Sequence, residues 1–142
     1  MRDAIPEDHR AFLCGLPWGV EAAGHAFLHN GLSPELIEPA AAQWELIQRR
    51  KWHGYAHPIA GTTSALEYKP AYPVWLGADK SLSANPLPLP GKVQVTGHVC
   101  VTAPDANDVR IRIDTSGGVN EPLTACLLRG PVEEPAFVFS NR

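Results

Sequence analysis

Strict alternation of apolar and polar residues in the back of this chain constrains the fold more than any other feature. From Lys92 to Thr102, Val93, Val95, Val99 and Val101 face one way, while Gln94, Thr96, His98 and Cys100 face the other. After the turn-forming run Pro104-Asp105-Ala106-Asn107-Asp108, the segment Val109-Arg110-Ile111-Arg112-Ile113-Asp114 alternates again. Period-two patterning reads as strands with one face against a core. Cross-strand partners share a face, so an antiparallel pairing sets Val101 opposite Val109 and Val99 opposite Ile111. The same register places Cys100 opposite Arg110, His98 opposite Arg112 and Thr96 opposite Asp114. Leu123 to Arg129 and Ala136 to Ser140 read as two further strands.

The front of the chain carries helical spacing instead. Pro17-Trp18 to Asn30-Gly31 reads as a helix, with Pro17 suited to its first position and Gly31 to a left-handed stop. Val20, Ala23, Gly24 and Phe27 fall on one side of it. A second helix begins at Ser33-Pro34-Glu35, with Ser33 as N-cap and the stripe Ile37, Ala40, Trp44 and Ile47. Pro39 removes an interior backbone bond, so this helix either kinks there or starts there, and His53-Gly54 closes it. Arg49-Arg50-Lys51 then complements the dipole at its end. Between the two patterns the chain is irregular and rich in proline. Glu67-Tyr68-Lys69 and Val74-Trp75-Leu76 read as short edge strands, and Asn85 to Pro90 as an extended strap.

With 142 residues and 44 % apolar composition, the chain fits one globular domain. Its expected fold is α+β: N-terminal helices (about 8–54), a proline-rich middle (55–91) and a C-terminal antiparallel β-meander (92–140), strongly curved or barrel-like. A net charge of −3 without a clustered basic patch argues against nucleic acid. No apolar run approaches a membrane span, and the charged start (Arg2, Asp3, Glu7, Asp8, Arg10) lacks a signal-peptide core. Three widely spaced cysteines suit reduced thiols, which together with the missing leader predicts a cytoplasmic protein.

Six histidines are the most suggestive chemical feature. His25/His29 and His53/His57 are spaced i, i+4, and Glu21 one turn earlier completes a possible ligand row. On a helix, however, His25 and His29 would point away from the Val20/Phe27 stripe, and Gly54 and Pro58 break the second pair. No HExxH or CxxC is present, so no metal is expected. The glycines precede no helix in a dinucleotide or phosphate-loop context, so no cofactor is expected either. Cys14 and Cys126 lie in apolar surroundings and read as buried, inert thiols.

The polar sheet face remains: Gln94, Thr96, His98, Cys100, Arg110, Arg112 and Asp114. Its simplest reading is a solvated outer face. Its functional reading is a pocket wall, with the valine face against the helices and Trp52, Tyr55, Tyr68, Tyr72 and Trp75 as a roof. His98 then serves as base, Arg112 and Arg110 stabilise negative charge, Asp114 orients Arg112, and Cys100 is favoured as thiolate. Two functions follow from different classes. One is a cofactor-independent acid–base enzyme acting on a small molecule, an isomerase, lyase or cyclase of the natural-product-tailoring kind. The other is a non-catalytic binding or interaction protein docking a partner through its helical front. A homo-oligomer is compatible with both.

Overall fold

The computed structural model describes residues 5–34, 38–50, 86–117, 122–130 and 133–140. Among the described residues, two helices and two sheets make an α+β fold. Helix α1 spans Glu7–Gly15, and strands β1 (Gly19–Ala22) and β2 (His25–Leu28) follow it. Helix α2 spans Ala40–Arg49, and the chain then contributes β3 (Val93–Thr96), β4 (Asp105–Ala106), β5 (Arg110–Arg112), β6 (Thr124–Leu127) and β7 (Ala136–Phe139). The larger sheet runs β1-β2-β3-β5-β4, and β6 pairs antiparallel with β7 in a separate ribbon. The described strands do not close into a barrel. No helix among the described residues is long and apolar enough to cross a membrane.

The segment expected as the first helix is a β-hairpin. Val20 and Phe27 are cross-strand partners, so residues that look seven apart on one helical face also share one sheet face. Ala23 and Gly24 turn the chain with φ of 50° and 78°, the positive pair of a two-residue primed turn. Gly19 and Gly24 weaken the helical alternative, and pairing of β2 with β3 then selects the strand. The first helix lies earlier, at α1, which buries none of its residues. Pro39 is the N-cap of α2, so the second helix begins there, without a kink. It ends before His53-Gly54, because Arg50 adopts a left-handed φ of 51° and its N–H caps the carbonyls of Leu46 and Ile47. The Arg50 guanidinium lies over the Trp18 ring and donates to the Cys14 carbonyl, tying the end of α2 to the end of α1.

The antiparallel register expected at the back is also replaced. Strands β2, β3 and β5 are mutually parallel, with rows Ala26–Gln94–Arg110, Phe27–Val95–Ile111 and Leu28–Thr96–Arg112. Thr96 therefore faces Arg112, not Asp114. The alternation of Val99 and Val101 extends past the true strand end, since His98 has a left-handed φ of 66° and the chain leaves the sheet after Thr96. It returns through β4, which pairs antiparallel with β5 inside the segment expected to be only a turn. Asn107 closes that hairpin by accepting the N–H groups of Val109 and Arg110 on Oδ1.

Both faces of the central strand are covered, as parallel strands require. On one face Ala26, Leu28, Leu32, Ala40, Trp44, Ile47 and Leu89 form the core beneath α2. Gln94 belongs to this face and is completely buried. Its Oε1 accepts the Leu32 N–H and its Nε2 donates to the Leu87 carbonyl. Gln43 of α2 likewise holds the Ser33 backbone through both its N–H and its carbonyl. These amides pair the backbone of irregular loops that would otherwise be buried unsatisfied. The opposite face carries His25, Phe27, Val93, Val95 and Ile111. The expected arrangement is thus reversed: α2 covers the face of Gln94, not the valine face.

Candidate functional site at the strand carboxyl ends

The parallel direction of β2, β3 and β5 delivers three polar, titratable residues to one edge of the sheet. His29 follows the last residue of β2, His98 lies two residues beyond β3, and Asp114 lies two beyond β5. The Gly97 N–H donates to the His29 carbonyl at 3.0 Å, and the Ile113 N–H donates to Thr96 at 3.1 Å. These backbone bonds fix the three strand ends side by side.

His29 Nε2 and His98 Nδ1 are 2.6 Å apart, with ring centroids 4.3 Å apart. Contact at this distance requires one hydrogen between the two nitrogens, so one ring donates and the other accepts. His98 reaches this position through its left-handed backbone, which costs a non-glycine residue about 1–2 kcal/mol. Its Nε2 is buried without a hydrogen-bond partner among the described residues. Burial, followed by the charge of a protonated His98, pushes the His29 pKa below its ordinary value, and Asp114 partly offsets this. His29 is therefore held towards its neutral, proton-accepting form. Asp114 is itself fixed, because its Oδ1 accepts the Ser116 and Gly117 N–H groups at 3.3 and 2.7 Å. Cys100 is exposed and borders Gly117: a methyl group there would lie 3.8 Å from its Sγ.

The residues singled out from sequence divide accordingly. His98 and Asp114 come to the same edge, joined by His29, and Cys100 lies near Asp114's turn. Arg112 does not engage Asp114. Its guanidinium forms a two-pronged pair with Asp105, Nε to Oδ1 at 2.8 Å and Nη2 to Oδ2. That pairing holds the Asp105 carboxyl below the usual carboxylate range and raises the Arg112 pKa. Arg110 is buried on the α2 face, and burial lowers its pKa. Gln94 and Thr96 are buried in the sheet, and neither lines the cavity on the valine face. Trp52, Tyr55, Tyr68, Tyr72 and Trp75, together with His53 and His57 and the strands expected at 67–69 and 74–76, lie outside the described residues. Cys14 is exposed on α1, contrary to expectation, whereas Cys126 is half-buried and burial raises its thiol pKa.

The row Glu21, His25 and His29 is dispersed by the hairpin. Glu21 pairs with Lys92 Nζ at 3.2 Å, His25 is buried on the valine face, and His29 meets His98. Among the described residues, no group of three or more His, Cys, Asp or Glu is placed to hold a metal ion. No sequence signal joins His29 to His98, since only the pairing of β2 with β3 brings the two together.

A concave feature lies on the valine face, apart from the histidine pair. His25, Val93, Ala106, Asn107, Asp108, Ile111, Glu133, Glu134 and Pro135 enclose an opening of about 520 Å³. Compared with known proteins, the chain matches no family model, no curated protein and no solved structure.

Proposed function

We propose that the protein acts on a small molecule by acid–base chemistry at the His29–His98 pair, as a cofactor-independent isomerase, lyase or cyclase. The observation that carries this reading is the 2.6 Å contact of two imidazoles at the carboxyl ends of three parallel strands. Open parallel sheets bind ligands beyond those ends. A histidine kept neutral accepts a proton near physiological pH. In the simplest reaction the pair removes a proton from a carbon next to a substrate carbonyl. In a β,γ-unsaturated carbonyl compound the electron pair spreads over the carbonyl oxygen and the double bond as a dienolate, and the imidazolium returns the proton to the γ carbon as the carbonyl re-forms and the double bond moves to the α,β position. Asp114 stabilises the imidazolium through its field at His29. Arg112 has no role in this scheme, because its fork is engaged by Asp105.

Small carbonyl compounds incubated with the protein in heavy water provide the test, with deuterium incorporation read by mass spectrometry. Wild-type protein should incorporate deuterium, and His98→Gln or His29→Gln should lower the rate about 10²–10⁴-fold. Incorporation that survives in the double variant, or none with the wild type, overturns the reading.

One observation favours the interaction-protein reading. Helix α1 leaves Phe12 67 % and Leu13 54 % exposed, apolar side chains that a partner chain would cover. A partner that binds wild-type protein but not Phe12→Ser/Leu13→Ser, at unchanged melting temperature, would support docking through α1.

A further inference from the structure

We infer that His29 Nδ1 is the single nitrogen of the histidine pair that meets the substrate, and that His98 is a positioning residue that never touches it. What His29 does rests on the acid–base reading, whereas which nitrogen is open follows from geometry alone. His29 Nε2 and His98 Nδ1 face each other at 2.6 Å and leave no room for a substrate atom between them. His98 Nε2 is buried without a hydrogen-bond partner, so neither water nor substrate reaches it. That leaves His29 Nδ1. His29 is exposed, and the only hydrogen bond of its ring among the described residues is the one to His98.

His98 still decides what the open nitrogen can do. When the shared hydrogen sits on His29 Nε2, the neutral His29 ring presents Nδ1 as a bare lone pair, the form a base requires. An acceptor opposite Nε2 selects that form, and in this arrangement the acceptor is His98 Nδ1. His98 then keeps its own hydrogen on the sealed Nε2, out of the proton traffic. The backbone holds the acceptor in place. His98 has a φ of 66°, and the Val99 N–H donates to the Gly97 carbonyl at 2.8 Å, closing a tight turn around it. The Gly97 N–H in turn donates to the His29 carbonyl at 3.0 Å, which ties this turn to the residue it serves. Strain of this kind persists only where the surroundings over-determine it, and it clusters at functional sites. The proton leaving the α carbon therefore settles on His29 Nδ1, and the same nitrogen returns it to the γ carbon. Throughout, the His29 Nε2–H stays on His98 and fixes the ring that carries the charge.

Limited carbethoxylation of the full chain with diethyl pyrocarbonate tests which nitrogen is open, since the reagent acylates accessible neutral imidazoles and peptide mass spectrometry locates them. His29 should react, and His98 should stay unmodified until the protein is unfolded. His98 labelled as fast as His29, or an unreactive His29, overturns the assignment. The deuterium assay tests the positioning role with two amides. His98→Asn puts an acceptor where Nδ1 stands, and asparagine tolerates the left-handed backbone. His98→Gln places its amide farther out, at the level of Nε2. His98→Asn should keep the exchange rate within about tenfold of wild type, whereas His98→Gln should lose about 10²-fold or more through misplacement of His29. A His98→Asn rate as low as that of His29→Gln means that the His98 ring itself carries the proton, and overturns the positioning role. Selective labelling of His29 without deuterium exchange by the wild type overturns the acid–base reading instead, so the two failures are distinct.

Discussion

Replacing Gly19 by alanine should separate α2 from the sheet that positions the candidate site. Gly19 pairs with Leu28 on the helix-covered face. A methyl group at this position would sit 2.8 Å from Ile47 Cγ2, 2.8 Å from Trp44 Cζ3 and 2.9 Å from Trp44 Cη2. Carbon atoms pack best at about 3.5–4.0 Å, so the new methyl overlaps both side chains by more than half an ångström. Neither neighbour has room to yield, since Ile47 is 1 % and Trp44 6 % exposed. Overpacking of this kind costs about 1–3 kcal/mol. Reduced freedom of the unfolded chain returns about 0.4–1 kcal/mol, leaving a net loss of about 1–2 kcal/mol. For a domain of this length that loss lowers Tm by about 3–6 °C. Urea unfolding followed by far-UV circular dichroism should show a lower midpoint with an unchanged m-value. Ile47→Leu removes the offending Cγ2 and should recover part of the loss only in the Gly19→Ala background, a coupling visible in a double-mutant cycle. A Gly19→Ala protein at least as stable as wild type would refute the packing described for α2 and β1.

Two further outcomes follow from local geometry. The His29 pKa is lowered on folding, so the unfolded chain binds more protons than the native one below about pH 6.5. Stability should therefore be fully present above that pH and decline as pH falls through it. His29→Gln should flatten this part of the curve of Tm against pH, and an unchanged slope would contradict the assignment. At Ala23, φ of 50° strains an L-residue by about 1–2 kcal/mol, whereas glycine adopts it without strain at an entropic cost of about 0.5–1 kcal/mol. Ala23→Gly should thus raise stability by about 0.5 kcal/mol in urea unfolding, and a loss of more than that would refute the turn geometry.

The strands were legible where periodicity met a simple environment, and illegible where two environments produce the same pattern. Alternation located β3 and β5, but it cannot state strand direction, because partners share a face in parallel and antiparallel pairs alike. Direction was decided by His98, whose left-handed backbone ends β3 while Val99 and Val101 continue the alternation in sequence. Polarity misled for a related reason. Gln94 looks solvent-facing, yet it lies buried between two parallel strands because its amide holds the Leu32 N–H and Leu87 carbonyl. In the front, Val20 and Phe27 fit a helix at seven-residue spacing and a hairpin at direct pairing equally well, and an Ala-Gly turn is a weaker signal than Asn-Gly. His98 and Asp114 were identifiable by residue type, whereas the partner of His98 was not. His29 lies 69 residues away and becomes its neighbour only because β2 and β3 run in the same direction. Had the two strands paired antiparallel, their carboxyl ends would lie at opposite edges of the sheet and the histidines apart. The acid–base reading therefore depends on strand direction, the one property that residue periodicity does not encode.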